Sequence, residues 1–101
     1  MSEDICYLSA AELAASYRAG TLSPAEAAAA LLKRIDRINP TVNAYILVDH
    51  EAAMRDARAS EARWKAGKPL SPIDGVPASI KDIILTKGWP TLRGSKTVDP
   101  D

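Results

Sequence analysis

Lys81, followed by Asp82, interrupts a largely apolar run at positions 76–85. An exposed strand alternates polar and apolar residues, whereas a run that is apolar on both sides of a lysine is typical of a strand covered on both faces. An ammonium group in such a strand must find a partner, reach water or lose its proton. A neutral lysine would be a base able to act near neutral pH. The residues alone also allow a simpler interpretation, in which Lys81 ends a strand, packs its stem and keeps its charge in solvent.

The elements that would position Lys81 begin with two capping boxes, Ser9 with Glu12 and Ser23 with Glu26. In this motif the serine oxygen accepts the backbone N–H three residues later, and the glutamate carboxylate accepts the serine N–H. Gly20 is predicted to end the first helix, and Asn39-Pro40 the second, because the residue before a proline is pushed out of the α region. The predicted helices cover residues 9–19, 23–38 and 50–66, the last with Asp49 as its cap and Gly67 at its end.

Two further segments, 44–48 and 76–85, are predicted to be β-strands. We therefore expect one α/β domain over residues 1–101. Its helical layer would cover about 9–66, and its first core strand, with the lysine segment, about 70–101. One or two fully buried strands cannot form a sheet alone. The sheet is expected to be incomplete in this chain.

Composition excludes several classes of function. Thirteen basic and 13 acidic residues give a net charge of zero, which supports neither nucleic acid nor an acidic membrane surface as a partner. One cysteine, Cys6, excludes an intramolecular disulfide. His50, the only histidine, has no further ligands at metal-binding spacing, so we expect no metal and no cofactor. With no stretch of transmembrane length and no signal-peptide pattern, a cytoplasmic location is expected.

The sequence around Lys81 resembles a known family. Residues 74–77 (Asp-Gly-Val-Pro), followed after three residues by Lys81-Asp82, are similar to the first core motif of the amidase signature hydrolases. The resemblance extends over nearly the whole chain in the same order. It includes Ser23-Pro24 at a helix start, Ile35 to Tyr45 leading into a strand, the Ala-rich helix after it, Lys87-Gly88, Pro90-Thr91 and Gly94-Ser95.

The resemblance implies an α/β/α sandwich with a large mixed sheet and a Ser–cis-Ser–Lys triad that hydrolyses a carboxamide C–N bond to an acid plus ammonia or an amine. Lys81 would be the catalytic lysine. Asp82, Thr91, Gly94 and Ser95 would lie near the site. The family's Gly-Gly-Ser-Ser-Gly-Gly-Ser-type stretch, which carries both serines, does not occur in the 101 residues, and Ser79 and Ser95 do not match it.

The chain is thus interpreted as the N-terminal part of an amidase that is inactive alone, because triad members act as a unit. Its expected partners are a small-molecule amide in the complete enzyme, and either the remaining part of the domain or another copy. Two alternatives stay open. One is a non-catalytic helical interaction module derived from an amidase. The other is a fragment of an amidotransferase subunit, the branch of the family that works with partner subunits and transfer RNA.

Overall fold

A computed structural model of the chain describes residues 2–94 and residue 96. Four helices follow one another: α1 (Ser2–Ile5), α2 (Ala10–Ala19), α3 (Pro24–Val42) and α4 (His50–Lys65). α3 packs against α4, and the short α1 lies against α3. No β-strand occurs in the described ranges, where the residues after α4 form turns and irregular backbone.

Both capping boxes form as predicted. Ser9 Oγ accepts the Glu12 N–H at 3.1 Å, and Glu12 Oε1 accepts the Ser9 N–H at 2.9 Å. These bonds hold the pKa of Glu12 below its ordinary value. At α3 the equivalent bonds between Ser23 and Glu26 both measure 3.1 Å. α2 ends at Gly20, whose φ of 76° lies in the left-handed region that glycine favours. α2 therefore agrees to within one residue with the helix predicted over residues 9–19.

The predicted end of α3 was wrong, since the helix continues through Pro40 to Val42. Pro40 lies in the last turn, so only one helical hydrogen bond is missing there. Beyond the helix end, the side chain of Asn39 donates to the Tyr45 carbonyl at 2.9 Å and accepts the Tyr45 N–H at 2.8 Å. Asn43, with a φ of 53°, then closes the helix in the left-handed conformation.

The two predicted strands were also wrong. Segments 44–48 and 76–85 form neither ladders nor helices, and apolar side chains such as Ile46 and Leu85 are 56% and 80% exposed. Lys81, predicted at the end of a buried strand, is exposed on irregular backbone. The physical reason is that a strand needs neighbours for its backbone N–H and C=O groups, and the described residues offer none. The α/β class was predicted, but the described part of the chain is helical.

The hydrophobic core is small and centres on Leu13 and Tyr17 of α2 with Ala27 of α3. Leu13 and Tyr17 are four residues apart and therefore share one face of α2. The Tyr17 and Trp64 rings lie 6.1 Å apart at a 54° tilt, which joins α2 to α4. The partly buried residues around this cluster are Ile5, Leu8, Leu22, Trp64 and Val76. Within the described residues, no helix combines the length and apolar character needed to cross a membrane.

His50 joins the start of α4 to α3. Its Nε2 lies 2.8 Å from Asp36 Oδ1 and its Nδ1 3.2 Å from the Val48 carbonyl oxygen. Both neighbours are acceptors, so only the doubly protonated ring satisfies both contacts. The hydrogen bond to Asp36, helped by the charges of Asp36 and Asp49, raises the pKa of His50.

Replacing the α3 cap by Ser23→Ala should lower the free energy of unfolding by about 1 kcal/mol, because the Glu26 N–H loses its acceptor. Urea unfolding followed by circular dichroism measures the loss. Ser16→Ala, inside α2, is the control. A loss in Ser23→Ala no larger than in this control would show that the cap contributes nothing.

Asp36→Asn should lower the pKa of His50, which a proton NMR titration of this single histidine reads directly. Because the folded-state pKa is raised, the contact stabilises the fold below pH about 6.5. The contribution is then lost as the pH rises through the folded value. Asp56→Asn should leave the titration unchanged. An identical His50 titration in Asp36→Asn and the wild type would contradict the assignment.

Candidate functional site

The segment that leads to Lys81 starts at a buried carboxylate, Asp74. Its Oδ2 accepts from Arg63 Nε at 2.7 Å and from the Leu70 N–H at 2.9 Å. Its Oδ1 accepts from Arg63 Nη2 at 2.7 Å and from Ser60 Oγ at 2.9 Å. The Arg63 guanidinium beside Asp74 holds the pKa of that carboxyl well below its usual range. Four donors thus compensate for removing the charge from water.

The backbone carbonyls of Asp74 and Gly75 also accept hydrogen bonds from aromatic side chains. Trp64 Nε1 donates to the Asp74 carbonyl at 2.9 Å, and the Tyr17 hydroxyl donates to the Gly75 carbonyl at 3.1 Å. Burial raises the pKa of Tyr17 to about 12, so this hydroxyl keeps its proton at neutral pH. The start of the segment is therefore tied to both α2 and α4.

Gly75 fits where no larger residue could. Its φ is 86°, and a Cβ placed there would stand 2.7 Å from Pro24 Cγ and still closer to Ser60 Oγ. Any side chain would push the segment away from α3 and α4. The glycine in the Asp-Gly-Val-Pro motif thus allows a close approach of backbone to the first turn of α3.

Lys81 lies six residues after Gly75 in the chain. It is exposed, and its carbonyl accepts the Ile84 N–H at 3.0 Å in a turn. Within the part of the chain that the structure describes, no ion pair joins Lys81 to a carboxylate. Ser79, two residues earlier, is also exposed.

Asp82 closes the following residues into a loop. Its Oδ1 accepts the Leu92 N–H at 2.9 Å, its Oδ2 accepts the Gly94 N–H at 3.1 Å, and its carbonyl accepts the Arg93 N–H at 3.0 Å. The N–H groups of Leu92 and Gly94 thus meet at the carboxylate, whereas the Arg93 N–H between them reaches the carbonyl. Arg93 and Gly94 have φ of 54° and 68°, in the left-handed region. Thr91 Oγ1 also donates to the Ile84 carbonyl at 3.4 Å.

Of the residues that the sequence placed near Lys81, the structure brings Asp82, Thr91 and Gly94 together in this loop. Ser95 lies outside the described residues.

Three other residues whose side chains could take part in a reaction or in binding lie apart from this loop or at its edge. Trp89, which is 38% exposed, donates through Nε1 to Asp49 Oδ2 at 3.4 Å. Cys6 is half-buried, with its Sγ 3.8 Å from the Ala30 carbonyl oxygen. His50 takes part in the helix contact described above. The described residues include no cluster of three or more His, Cys, Asp or Glu side chains that could hold a metal ion.

Sequence reasoning missed the network around Asp74. The signal was present: Ser60 and Arg63 are three apart and so share one face of α4, while Asp74 follows in a proline-rich loop. A buried serine with an arginine beside it on a helix requires a partner. The spacing alone could not show which of the 13 acidic residues supplies it.

Asp74→Asn should lower the free energy of unfolding by roughly 2–4 kcal/mol, because it leaves the partly buried Arg63 without its counter-charge. The effect should depend on pH. The folded-state pKa of Asp74 is lowered, so its contribution is present above pH about 4 and is lost as the pH falls.

Urea unfolding from pH 7 down to pH 3 tests this expectation, with exposed Asp4→Asn as the matched control. If wild type and Asp74→Asn differed by the same amount at both ends of this range, the charge of Asp74 would not be the source of the stability.

A model of the amidase family matches residues 26–100. Curated relatives agree with it. The chain is 48% identical over 88 residues to a glutamyl-tRNA(Gln) amidotransferase subunit of Myxococcus xanthus, covering 87% of this chain and 18% of that protein. It is 42% identical over 94 residues to an acylamidase of Rhodococcus erythropolis, covering 93% and 20%.

The chain thus spans about a fifth of the length of these relatives. No solved structure matches it. The family match contains Asp74, Lys81 and the whole Asp82 loop, so it covers the segment that the helices position. The chain belongs to the amidase family.

Proposed function

We propose that the chain is the N-terminal portion of an amidase that hydrolyses a carboxamide C–N bond to an acid plus ammonia or an amine. In this proposal Lys81 is the catalytic lysine. The observation that supports it most directly is the family match over residues 26–100, which contains Lys81 and its anchored segment. Acylamidase among the relatives agrees with a hydrolytic activity on amides.

In the proposed mechanism, Lys81 acts as base toward a serine that relays a proton from a second, nucleophilic serine. The nucleophile attacks the amide carbonyl, and the amine leaves with the proton that the lysine and relay serine return to it. Water then releases the acid from the acyl-enzyme. Neither serine motif occurs in the 101 residues. The isolated chain is therefore expected to release no ammonia from amides.

The exposed apolar segments are the surface on which the rest of such a domain would pack. Ile80, Ile83 and Ile84 are 52–57% exposed around Lys81. Segment 44–48 adds a second set of exposed apolar side chains. Apolar side chains grouped in this way mark an interaction surface. We propose that the remainder of an α/β/α amidase domain covers both segments and supplies the missing sheet neighbours. Pairing with another copy of the chain is the alternative.

A second candidate is one component of an amidotransferase. The glutamyl-tRNA(Gln) amidotransferase subunit of Salinispora arenicola is 47% identical to the chain over 93 residues. The same lysine segment would then serve an ammonia-releasing step coupled to another polypeptide. The balanced charge of the chain gives no support to direct binding of RNA. A cytoplasmic location fits both candidates.

A chimera tests the role of Lys81. Residues 1–101 would replace the matching N-terminal part of the Rhodococcus erythropolis acylamidase, and release of amine from simple aryl and aliphatic amides would be measured. The chimera should be active. Lys81→Ala and Lys81→Arg should each lower kcat by roughly 10²- to 10⁴-fold, because an arginine cannot become the neutral base.

Lys68→Ala, which removes another exposed lysine, is the matched control and should keep the parent activity. Full activity in the Lys81→Arg chimera would exclude Lys81 as the base. An active isolated chain would reveal a nucleophile within residues 1–101. A chimera that folds but stays inactive with the wild-type lysine would favour the non-catalytic module.

A further inference from the structure

Asp82 follows Lys81 directly in the chain, so its carboxylate is within reach of the flexible lysine side chain. A nearby negative charge favours the ammonium form of a lysine. A lysine that must act as a neutral base is therefore poorly served by such a neighbour, unless the charge of the carboxylate is engaged elsewhere. This inference rests on the proposed role of Lys81 as a base.

The structure shows which groups contact the Asp82 carboxylate. Each carboxylate oxygen accepts a separate backbone N–H, Oδ1 from Leu92 at 2.9 Å and Oδ2 from Gly94 at 3.1 Å. No ion pair between Lys81 and Asp82 occurs in the described residues, although the two are adjacent. Both hydrogen bonds join Asp82 to one short stretch of backbone, residues 92–94.

We propose that the backbone N–H groups of Leu92 and Gly94 engage the Asp82 carboxylate and thereby keep it from pairing with Lys81. Asp82 is then a positioning residue with two effects. It joins the lysine segment to residues 92–94, and its carboxylate oxygens are occupied by hydrogen bonds from that loop. The other charges of the loop, Lys87 and Arg93, are cations and do not compete for the lysine.

The physical basis is competition for two oxygens. Hydrogen bonds from backbone N–H groups to a carboxylate are charge-assisted and stronger than neutral ones. An exposed ion pair between neighbouring side chains contributes little, because solvent screens it and ordering a long lysine side chain costs entropy. The loop therefore retains the carboxylate as long as both N–H groups are in place. Opening the loop should release the carboxylate to Lys81.

The test measures how fast acetic anhydride acylates Lys81 in the 101-residue chain, because only the neutral amine reacts. Lys68 of the same molecule is the internal reference, and peptide mass spectrometry gives both rates. Gly94→Pro removes one N–H and cannot adopt the left-handed φ, so it opens the loop. We expect Lys81 acylation to slow roughly twofold to fivefold relative to Lys68. The double variant Asp82→Asn/Gly94→Pro should restore the wild-type ratio.

Asp82→Asn alone gives the second arm. Because the wild-type carboxylate is already engaged, this variant should leave the ratio of Lys81 to Lys68 acylation unchanged, as should the remote control Asp56→Asn. Faster acylation of Lys81 in Asp82→Asn would show that the carboxylate acts on Lys81 in the wild type and would overturn the proposal. An unchanged ratio in Gly94→Pro, with the helices intact by circular dichroism, would overturn it equally.

None of these rates requires amidase activity. A failure here therefore leaves the amidase proposal standing, and a failure of the Lys81 chimera leaves the Asp82 contact standing. Adding salt to Gly94→Pro should restore part of the lost rate, since it screens an exposed pair. A purely steric slowing would not respond to salt, and that result would overturn the electrostatic explanation.

Discussion

The ion pair between Asp74 and Arg63 is the interaction on which the rest of the structure depends. The chain after α4 has no regular secondary structure in the described residues, and its backbone hydrogen bonds form isolated turns, so side-chain contacts must hold it against the helices. Asp74 provides them, with four hydrogen bonds to its carboxylate and one to its carbonyl. Because its partners lie on α4 and in the loop itself, this one residue sets where the lysine segment begins.

A polar anchor is needed because the apolar core is small. Alanine fills many helix positions that face inward, and alanine buries little area. The exposed apolar side chains are instead concentrated in the segments after α3 and after Gly75. The apolar side chains are thus divided unevenly. A modest buried cluster lies between the helices, and many large apolar side chains outside it are exposed. Such a distribution is typical of one layer of a larger fold.

The features that the sequence predicted are those decided by neighbours in the chain. A capping box involves residues three apart, so α2 and the start of α3 follow from local pattern. The end of α3 did not, because Asn39 pairs with Tyr45 across the helix end. The two strand predictions were wrong for a different reason: the apolar pattern of these segments suits a sheet, and the described residues form no sheet. Asp74 was seen only as part of a motif, and its partners on α4 are eleven and fourteen residues away.

A lysine that acts as a base needs a fixed position and a site that excludes water, and the described residues leave Lys81 exposed to water. Gly75 and Asp82 fix the segment on both sides of Lys81, one through its close approach to α3 and the other through the loop it closes. Neither contact removes water from the ammonium group. A low-dielectric surrounding is what makes electrostatic interactions in a site strong. Local contacts can therefore fix the backbone on both sides of Lys81. Lowering the dielectric around its ammonium group would in addition require cover over the apolar side chains nearby.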